Sequence, residues 1–296
     1  MKIILQIAAT AALIASALPA FAGEAPAVPP RTYVVSGNIH VAVLENRNSV
    51  YLVGDNKVML VETNFERNAA ALANQIASVT PFPVKLIVNS HWHGDHIGGN
   101  KFFHDAGAIS LAHVNTRIRM SVDQINPVIN NVQLPAQKPE FLPMMTFDGK
   151  MTLNWGNERV DLIHYPDAHT DSDVVFYYRN NNVVYLGGML EYPQYAGVYS
   201  PDGFVDAINK ILAETNVNTK FIPWQGPVIS QTELTQWRDI ILLMKTRVGA
   251  MIAQGKTVEE VVAAKPSAEF DAKWGGGRTP ARFAQDMYYV LTHGTR

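Results

Sequence analysis

The chain has 296 residues and a formal net charge of −2, with 24 basic and 26 acidic side chains. It lacks the basic stripe of a nucleic-acid-binding protein, so we expect no nucleic acid among its partners. It contains no cysteine, which excludes disulfides, thiolate metal ligands and a cysteine nucleophile. Apolar residues make up 47% of the chain, enough to bury a core.

The first residues have the pattern of a secretory signal peptide. Lys2 supplies a short basic start, Ile3–Leu18 is almost wholly apolar, and Ala20-Phe21-Ala22 is a cleavage site of the A-x-A kind. A membrane anchor is the alternative, but about 16 apolar residues fall short of the roughly 20 that span a bilayer. We therefore predict a signal peptide over residues 1–22, a mature chain beginning near Gly23 without membrane insertion, and a periplasmic or secreted protein.

Short apolar runs separated by turn signals follow, and they predict an antiparallel meander. Its four strands are Tyr33–Val35, His40–Leu44, Ser49–Val53 and Val58–Val61. Residues 65–79 have helical composition and lead into a β-branched run, Val84–Val88, which predicts a buried strand. A further strand is expected over Ala108–Ala112.

The second half of the chain again contains strands followed by helices. Residues 126–149 contain four prolines and little periodicity, so we expect a long surface loop that can cross a functional site. Strands are expected at Met151–Leu153, Val160–Ile163, Val174–Tyr178 and Val183–Leu186, and helices at Asp202–Glu214, Gln231–Gln254 and Pro280–Leu291. Thr257 and Glu260 are spaced as a helix capping box. Two halves alike in kind favour two sheets packed face to face with helices outside, in one domain over residues 23–296.

The most informative stretch is His91-Trp92-His93-Gly94-Asp95-His96, which follows the strand predicted at Val84–Val88. In extended chain, residues i and i+2 point to the same side, so the first two histidines can converge. The aspartate and the last histidine lie at the turn that follows and can face the same cleft. Neutral imidazoles with a carboxylate are ligands of zinc and similar divalent metals. The pattern predicts a metal site rather than a set of solvated surface histidines.

An H-x-H-x-D-H motif after a strand, in a strand-rich chain of this length, resembles the metallo-β-lactamase superfamily. The resemblance extends from about Thr32 to the C-terminus. It implies an α+β fold, the αβ/βα four-layer sandwich, in which two mixed β-sheets pack face to face with helices outside and a zinc cleft lies at one edge. Glu62 matches an acidic turn that supports the motif loop, although the family more often has aspartate there. His169 in Pro166-Asp167-Ala168-His169-Thr170 matches the third histidine of the first zinc site.

The resemblance implies that His91, His93 and His169 hold a zinc ion. Three neutral imidazoles leave the fourth tetrahedral position for water, whose pKa bound zinc lowers to about 7. Asp95 would orient that water or accept its proton. His96 would bind a second metal or move a proton. We therefore count Asp95 and His96 as candidate catalytic residues and as candidate ligands of a second ion.

Two ligands of the family's second metal site are missing from this chain. Gly188 in Tyr185-Leu186-Gly187-Gly188-Met189 stands where the family has a bridging aspartate, and Gln225 in Ile222-Pro223-Trp224-Gln225-Gly226 stands where it has a histidine. Glutamine is a weak neutral donor for zinc. Glu191 is the nearest acid that can reach in, against the alternative of an ordinary surface residue. We expect one tightly bound Zn²⁺ per chain and a weak or absent second site. Gly188→Asp with Gln225→His should restore the second site, provided that the cleft keeps its family shape.

These residues predict an exported zinc-dependent hydrolase of a small-molecule substrate. Metal-bound water would attack an ester, amide, lactone or thioester carbonyl, as in a β-lactamase. We find no basic pair placed to clamp a carboxylate or phosphate, so the substrate stays open. The alternative is a non-catalytic metal- or ligand-binding protein that retains the fold without turnover. A dinuclear-iron oxidoreductase fits less well, because it needs a carboxylate where His93 stands. His113 and His164 are interpreted as structural residues rather than neighbours of the metal.

Overall fold

The computed structural model describes residues 29–126, 131–195 and 197–294. The predicted signal peptide, residues 1–22, lies outside these ranges. Among the residues that are described, there is no helix of the length and apolarity that a membrane crossing requires.

The first sheet contains the predicted meander and the strand that precedes the histidine motif. Its strands are β1 (Arg31–Ser36), β2 (Ile39–Leu44), β3 (Arg47–Gly54), β4 (Lys57–Val61), β5 (Val84–Asn89), β6 (Ile109–His113) and β9 (Met145–Phe147). They lie in this order across a seven-stranded sheet. The pairs from β1 to β4 are antiparallel and those from β4 to β9 are parallel, so the sheet is mixed.

The second sheet has five strands and is also mixed. Its strands are β10 (Lys150–Trp155), β11 (Glu158–Tyr165), β12 (Asp173–Tyr178), β13 (Val183–Tyr185) and β14 (Lys220–Ile222). The pairs from β10 to β13 are antiparallel, whereas β13 and β14 are parallel. The carboxyl ends of β11, β13 and β14 therefore lie at the same edge of the sheet.

The segment expected to be a long loop, residues 126–149, is only partly irregular. A hairpin of β7 (Gln124–Asn126) and β8 (Asn131–Leu134) stands at its start, and β9 lies near its end. The expectation failed because strands of three or four residues are too short to show alternation in sequence. Strand β9 is defined by its parallel backbone pairing with β6, a contact between segments far apart in the chain.

Helices cover both outer faces of the paired sheets. They are α1 (Ala69–Ala77), α2 (Gly94–Ile97), α3 (Asn100–Asp105), α4 (Val114–Met120), α5 (Pro201–Ala213), α6 (Gln231–Ala253), α7 (Val258–Ala263), α8 (Asp271–Trp274) and α9 (Pro280–His293). The predicted capping box is present at the start of α7, where the Glu260 amide donates to Thr257 Oγ1 and the Thr257 amide donates to Glu260. These bonds satisfy amides that a helix start leaves without partners.

Side-chain alternation in β12 shows how the layers are built. Val174, Phe176 and Tyr178 pack between the two sheets, whereas Val175 and Tyr177 face helices α5, α6 and α9. On the far side, α1 and α3 pack against the outer face of the first sheet. Because successive strand residues point to opposite faces, a strand buried on both sides is apolar throughout. The arrangement is the predicted four-layer αβ/βα sandwich.

Candidate metal centre

Three histidines from two distant loops converge at the edge where the sheets meet. His91 and His93 follow the end of β5, and His169 lies in the loop between β11 and β12. Beside them, the Val174 amide at the start of β12 donates to the carbonyl of Ser90, the residue after β5, at 2.9 Å. His93 Nδ1 lies 2.9 Å from His91 Nε2 and 3.1 Å from His169 Nε2. The structure therefore brings together the three histidines that the sequence predicted as zinc ligands.

Hydrogen bonds on the outer side of two rings orient them toward the shared point. His169 Nδ1 lies 2.8 Å from the Gly197 carbonyl, which can only accept, so Nδ1 carries the proton and Nε2 presents its lone pair. His91 Nδ1 lies 2.9 Å from Ser90 Oγ. Asp173 holds the loop itself, because its carboxylate accepts from the amides of His169 and Thr170 at 2.7 and 2.8 Å.

Burial favours the neutral form that a metal needs. It lowers the pKa of His91 well below the usual range, and the neighbouring imidazoles lower it further. Burial also lowers the pKa of His93 strongly, with His169 as the next cause. A neutral imidazole can donate a lone pair to a metal, whereas a protonated one cannot.

The donor set fits a zinc ion. The three nitrogens all lie within 4.8 Å of one another. A tetrahedral zinc with Zn–N distances of about 2.0–2.1 Å would hold them roughly 3.3 Å apart, and the two distances from His93 Nδ1, 2.9 and 3.1 Å, lie within a few tenths of an ångström of that value. Within the described residues, this cluster of potential ligands contains only the three histidines. Asp95 and His96 lie beside it and are not members.

His96 is buried between the cluster and a carboxylate behind it. Its ring centroid lies 4.0 Å from that of His91 and 3.7 Å from that of Trp224. Its Nδ1 lies 3.3 Å from Glu62 Oε1, and its Nε2 lies 3.9 Å from Asp95 Oδ1. Burial by itself would lower the pKa of His96, but the two carboxylates outweigh it and the pKa is raised.

Glu62 supports the motif loop, as the resemblance implied. Its side chain is fully buried and accepts from the Ser90 amide at 3.2 Å and from the Tyr185 hydroxyl at 3.4 Å. Its backbone is left-handed, with φ of 68°, a conformation that costs about 1–3 kcal/mol in a residue other than glycine. The contacts of the carboxylate with the start of the motif hold this turn in place.

Asp95 is paired with an arginine that sequence reasoning missed. Arg47 Nε donates to Asp95 Oδ2 at 3.3 Å, and both side chains are about a fifth to a quarter exposed. Burial would raise the pKa of Asp95, but His96, His93 and Arg47 outweigh it and the pKa is lowered. Arg47 begins β3, and no local motif marks it. Arg47 reaches Asp95 because the fold places the start of β3 beside the motif loop.

Gly188, the expected site of a missing aspartate, lies against the histidine cluster. A Cβ built there would be 2.5 Å from His91 Cε1 and 2.8 Å from His169 Cδ2. Real side chains do not approach so closely, so an aspartate requires both rings to move. This crowding counts against the expectation that Gly188→Asp with Gln225→His restores a second site, because the new side chain would have to move two histidines of the cluster.

The other two candidates for the second site lie on adjoining backbone. The backbone of Gln225 pairs with that of Arg47 on one side and with that of Glu191 on the other. The Gln225 carbonyl accepts a hydrogen bond from the Tyr192 amide at 2.9 Å. Glu191 is partly buried, and burial raises its pKa while Arg278 and His169 oppose the rise. Neither side chain belongs to the described three-histidine cluster.

Arg278 is a second cation that sequence reasoning missed. The Nη1 atom of Arg278 forms an ion pair with Asp286. Gly197 links the guanidinium to the cluster, because a Cβ built at Gly197 would lie 3.0 Å from Arg278 Nη2 and 3.7 Å from His169 Cε1. Arg47 and Arg278 both lie near this edge, but each is engaged by a carboxylate of the chain, so the expectation that no basic pair clamps a substrate stays a prediction. They are separated in sequence by most of the chain, so no spacing could have revealed them.

The remaining candidate histidines pair with each other away from the cluster. The rings of His113 and His164 are stacked with centroids 3.5 Å apart. His113 Nε2 lies 3.3 Å from Asp148 Oδ1, and His164 Nε2 lies 2.9 Å from the Asp171 carbonyl. These contacts join the end of β6 to β11 and agree with the structural role predicted for both residues.

A cavity of about 360 Å³ opens beside the cluster. It is lined by Phe65, Trp92, His93, Gly94, Asp95 and Leu134. Leu134 belongs to β8, so the segment expected to cross a functional site does contribute one wall. The lining combines apolar side chains with one imidazole of the histidine cluster and one carboxylate, the composition typical of a small-molecule site.

Comparison with known proteins agrees with this architecture. Residues 43–204 match the profile of the metallo-beta-lactamase superfamily, and the chain belongs to that superfamily. A metallo-beta-lactamase from Pontibacter korlensis superposes with a TM-score of 0.59 at 17% identity, over 72% of this chain and 99% of that one. Family membership and the three-histidine cluster together indicate a metal-dependent, hydrolase-type function.

Two alkylsulfatase structures are also similar. The stereoselective inverting sec-alkylsulfatase Pisa1 from Pseudomonas sp. gives a TM-score of 0.69 at 16% identity, over 88% of this chain and 50% of that one. A double mutant of the sec-alkyl sulfatase PisA1 gives the same score and identity over 90% and 50%. This chain spans about half the length of those chains, and identities this low support the shared fold alone.

Proposed function

We propose that this protein is a zinc-dependent hydrolase of a small-molecule substrate that is exported to the periplasm or secreted. The convergence of the ring nitrogens of His91, His93 and His169 carries the proposal. A zinc ion held there would supply a Lewis acid that polarises the scissile group and lowers the pKa of water. Burial keeps two of the three imidazoles neutral and so ready to bind it.

Asp95 is the residue best placed to handle a proton. It lines the cavity next to His93, and its lowered pKa keeps it ionised and able to accept. His96 lies between this carboxylate and the buried Glu62, so it can steady Asp95 or pass a proton to it. Arg47 fixes the other oxygen of Asp95 and limits its rotation.

The cavity supports a substrate with an apolar portion. Phe65, Trp92 and Leu134 form its apolar walls, and the polar groups lie at one side. A scissile bond beside Asp95 would place the rest of the substrate against those walls. We propose an ester, amide, lactone or thioester, and the fold shared with sec-alkylsulfatases adds sulfate esters to the candidates.

A non-catalytic metal-binding protein is the second candidate. The observation that favours it is the ion pair between Asp95 and Arg47, since a carboxylate already engaged by a guanidinium is a weaker base. Such a protein would bind zinc at the three histidines without turning over substrate.

A substrate panel separates the two candidates. Chromogenic carboxylic esters, lactones, thioesters, β-lactams and sulfate esters are assayed with protein loaded with zinc, loaded with manganese or treated with chelator. The hydrolase predicts turnover of at least one class that chelator abolishes and metal restores. Zinc-loaded protein with one bound ion and no turnover across the panel would favour the binding protein.

A further inference from the structure

We propose that the Arg47 guanidinium supplies the positive charge beside Asp95 that a second metal ion would otherwise supply, so that the centre binds a single metal ion. The proposal rests on the proposed function, because it presumes that the three histidines hold the first zinc. It concerns a residue to which neither the motif nor the family pattern gives a role.

The backbone of Arg47 is fixed by a tight hairpin. Residues Glu45 and Asn46 form the two-residue turn between β2 and β3, with φ of 49° and 64°. Positive φ at both central residues is the signature of the type I′ turn, whose twist matches the flanking strands. On its other edge, Arg47 pairs through its backbone with Gln225. Its Cα therefore lies between the hairpin and the loop that carries Gln225.

The guanidinium group is held on three sides. Nε donates to Asp95 Oδ2 at 3.3 Å, and Nη1 donates to the Glu45 carbonyl at 3.0 Å. The group also lies over the Phe65 ring, 4.7 Å from the centroid. Stacking and directed hydrogen bonds of this kind suit the planar fork of arginine. Asp95 therefore faces a positioned positive charge.

A second ion would find few remaining ligands. Gly188 supplies no side-chain ligand, and His96 turns its Nδ1 toward Glu62 rather than toward solvent. Asp95, the His96 Nε2 and the partly buried Glu191 remain as donors, and the first of these is engaged by Arg47. A fixed guanidinium also repels a dication that approaches the same carboxylate. The positive charge at Asp95 is thus supplied by the chain itself.

The test is zinc binding to the purified, chelator-stripped protein, measured by competition with a chromophoric chelator and by elemental analysis. Arg47→Gln removes the charge and keeps a polar side chain, whereas Arg47→Lys keeps the charge. Arg67→Ala is the matched control, because Arg67 also lies over the Phe65 ring and forms an ion pair with Glu45, the residue in the turn before Arg47. We expect one tight zinc in wild type, Arg47→Lys and Arg67→Ala, and at least tenfold tighter binding of a second zinc in Arg47→Gln.

The outcomes separate this proposal from the proposed function. Two tight ions in the wild type, or an Arg47→Gln variant with unchanged second-ion affinity, would overturn the role of Arg47 alone. A wild type that binds no zinc tightly would overturn the proposed function and this inference with it. A second ion that binds equally well to Arg67→Ala and to Arg47→Gln would show that loosening the Phe65 region, and not the charge at Asp95, controls the site.

Discussion

His93 Nδ1 lies 3.1 Å from His169 Nε2, although the two residues are 76 positions apart in the chain. One belongs to a loop of the first sheet and the other to a loop of the second, so the cluster exists only when the sheets are packed face to face. Because a metal bound by both loops binds the native state alone, its binding energy adds to folding stability. The packing of the two sheets therefore creates the site, and a metal bound there would stabilise that packing in return.

Removing the third histidine tests the ligand set. His169→Ala should lower zinc affinity by more than about 100-fold and abolish metal-dependent turnover, because two histidines remain where three are needed. Zinc content after gel filtration and the substrate panel provide the measurement. His164→Ala is the control, since His164 stacks on His113 outside the cluster and should retain zinc. Equal zinc content in both variants would contradict the assignment.

Asp95 should matter for turnover more than for the first metal. Asp95→Asn removes the proton acceptor and should lower turnover by about 10²–10⁴-fold. The zinc content of the first site should stay near the wild-type value, because Asp95 lies outside the three-histidine cluster. Kinetics and elemental analysis on the same preparation decide the point. An Asp95→Asn protein without zinc would show that Asp95 is a ligand of the first ion.

The contact of Gly188 with the histidine rings predicts that even one methyl group is harmful. In Gly188→Ala the new Cβ would lie 2.5 Å from His91 Cε1 and 3.0 Å from His91 Nε2. Displacing that ring should weaken zinc binding at least tenfold and destabilise the fold by about 1–3 kcal/mol.

Gly249→Ala is the matched control for that substitution. Gly249 lies in α6, and a Cβ built there meets no atom within 4 Å. It should leave zinc binding unchanged and raise stability by up to about 1 kcal/mol, as alanine does in a helix. Thermal unfolding and chelator competition measure both effects. Wild-type zinc affinity in Gly188→Ala would show that the rings tolerate the methyl group.

Asp161 should contribute to stability above acidic pH. Burial alone would raise the pKa of this residue, but hydrogen bonds from Thr152, Arg179 and Arg159 and the charge of Lys150 outweigh it and lower the pKa to about 2. A lowered pKa stabilises the fold above the unfolded-state value near 4, and this contribution is lost as pH falls toward 2. The pKa difference corresponds to about 2 kcal/mol.

Urea unfolding of wild type and Asp161→Asn between pH 6 and pH 2 measures this contribution. The wild type should lose about 2 kcal/mol more than the variant as the solution is acidified. Asp206→Asn is a surface control, because Asp206 is 61% exposed and pairs only across one helical turn with Lys210. An equal acid loss in wild type and Asp161→Asn would refute the role of Asp161.

Export is tested by the start of the mature chain. The A-x-A pattern ending at Ala22 predicts that protein recovered from the periplasm or medium begins at Gly23. N-terminal sequencing or intact mass measures it directly. An Ala20→Leu variant should slow processing, because the cleavage site needs small residues at these positions. Wild-type protein that keeps residues 1–22 and stays in the membrane fraction would indicate an anchor.

The sequence alone was enough to predict most elements and the three histidines that converge in the structure. Apolar runs such as those of β5 and β12 indicate strands that are buried on both faces. The spacing of His91 and His93 indicates that both side chains point to the same side of an extended chain. His169 was found from its matching sequence context. These features are local, so each can be recognised in a stretch of a few residues.

Only the tertiary structure revealed what surrounds those ligands. Arg47 reaches Asp95 across 48 positions, and Gly188 lies against rings from two other loops. Strand β9 likewise depends on pairing with β6. No local pattern encodes these contacts, because each one forms where separate segments meet after the sheets have packed. The sequence thus determined which residues can bind a metal, and the packing of the two sheets decided which charges and which empty space stand beside it.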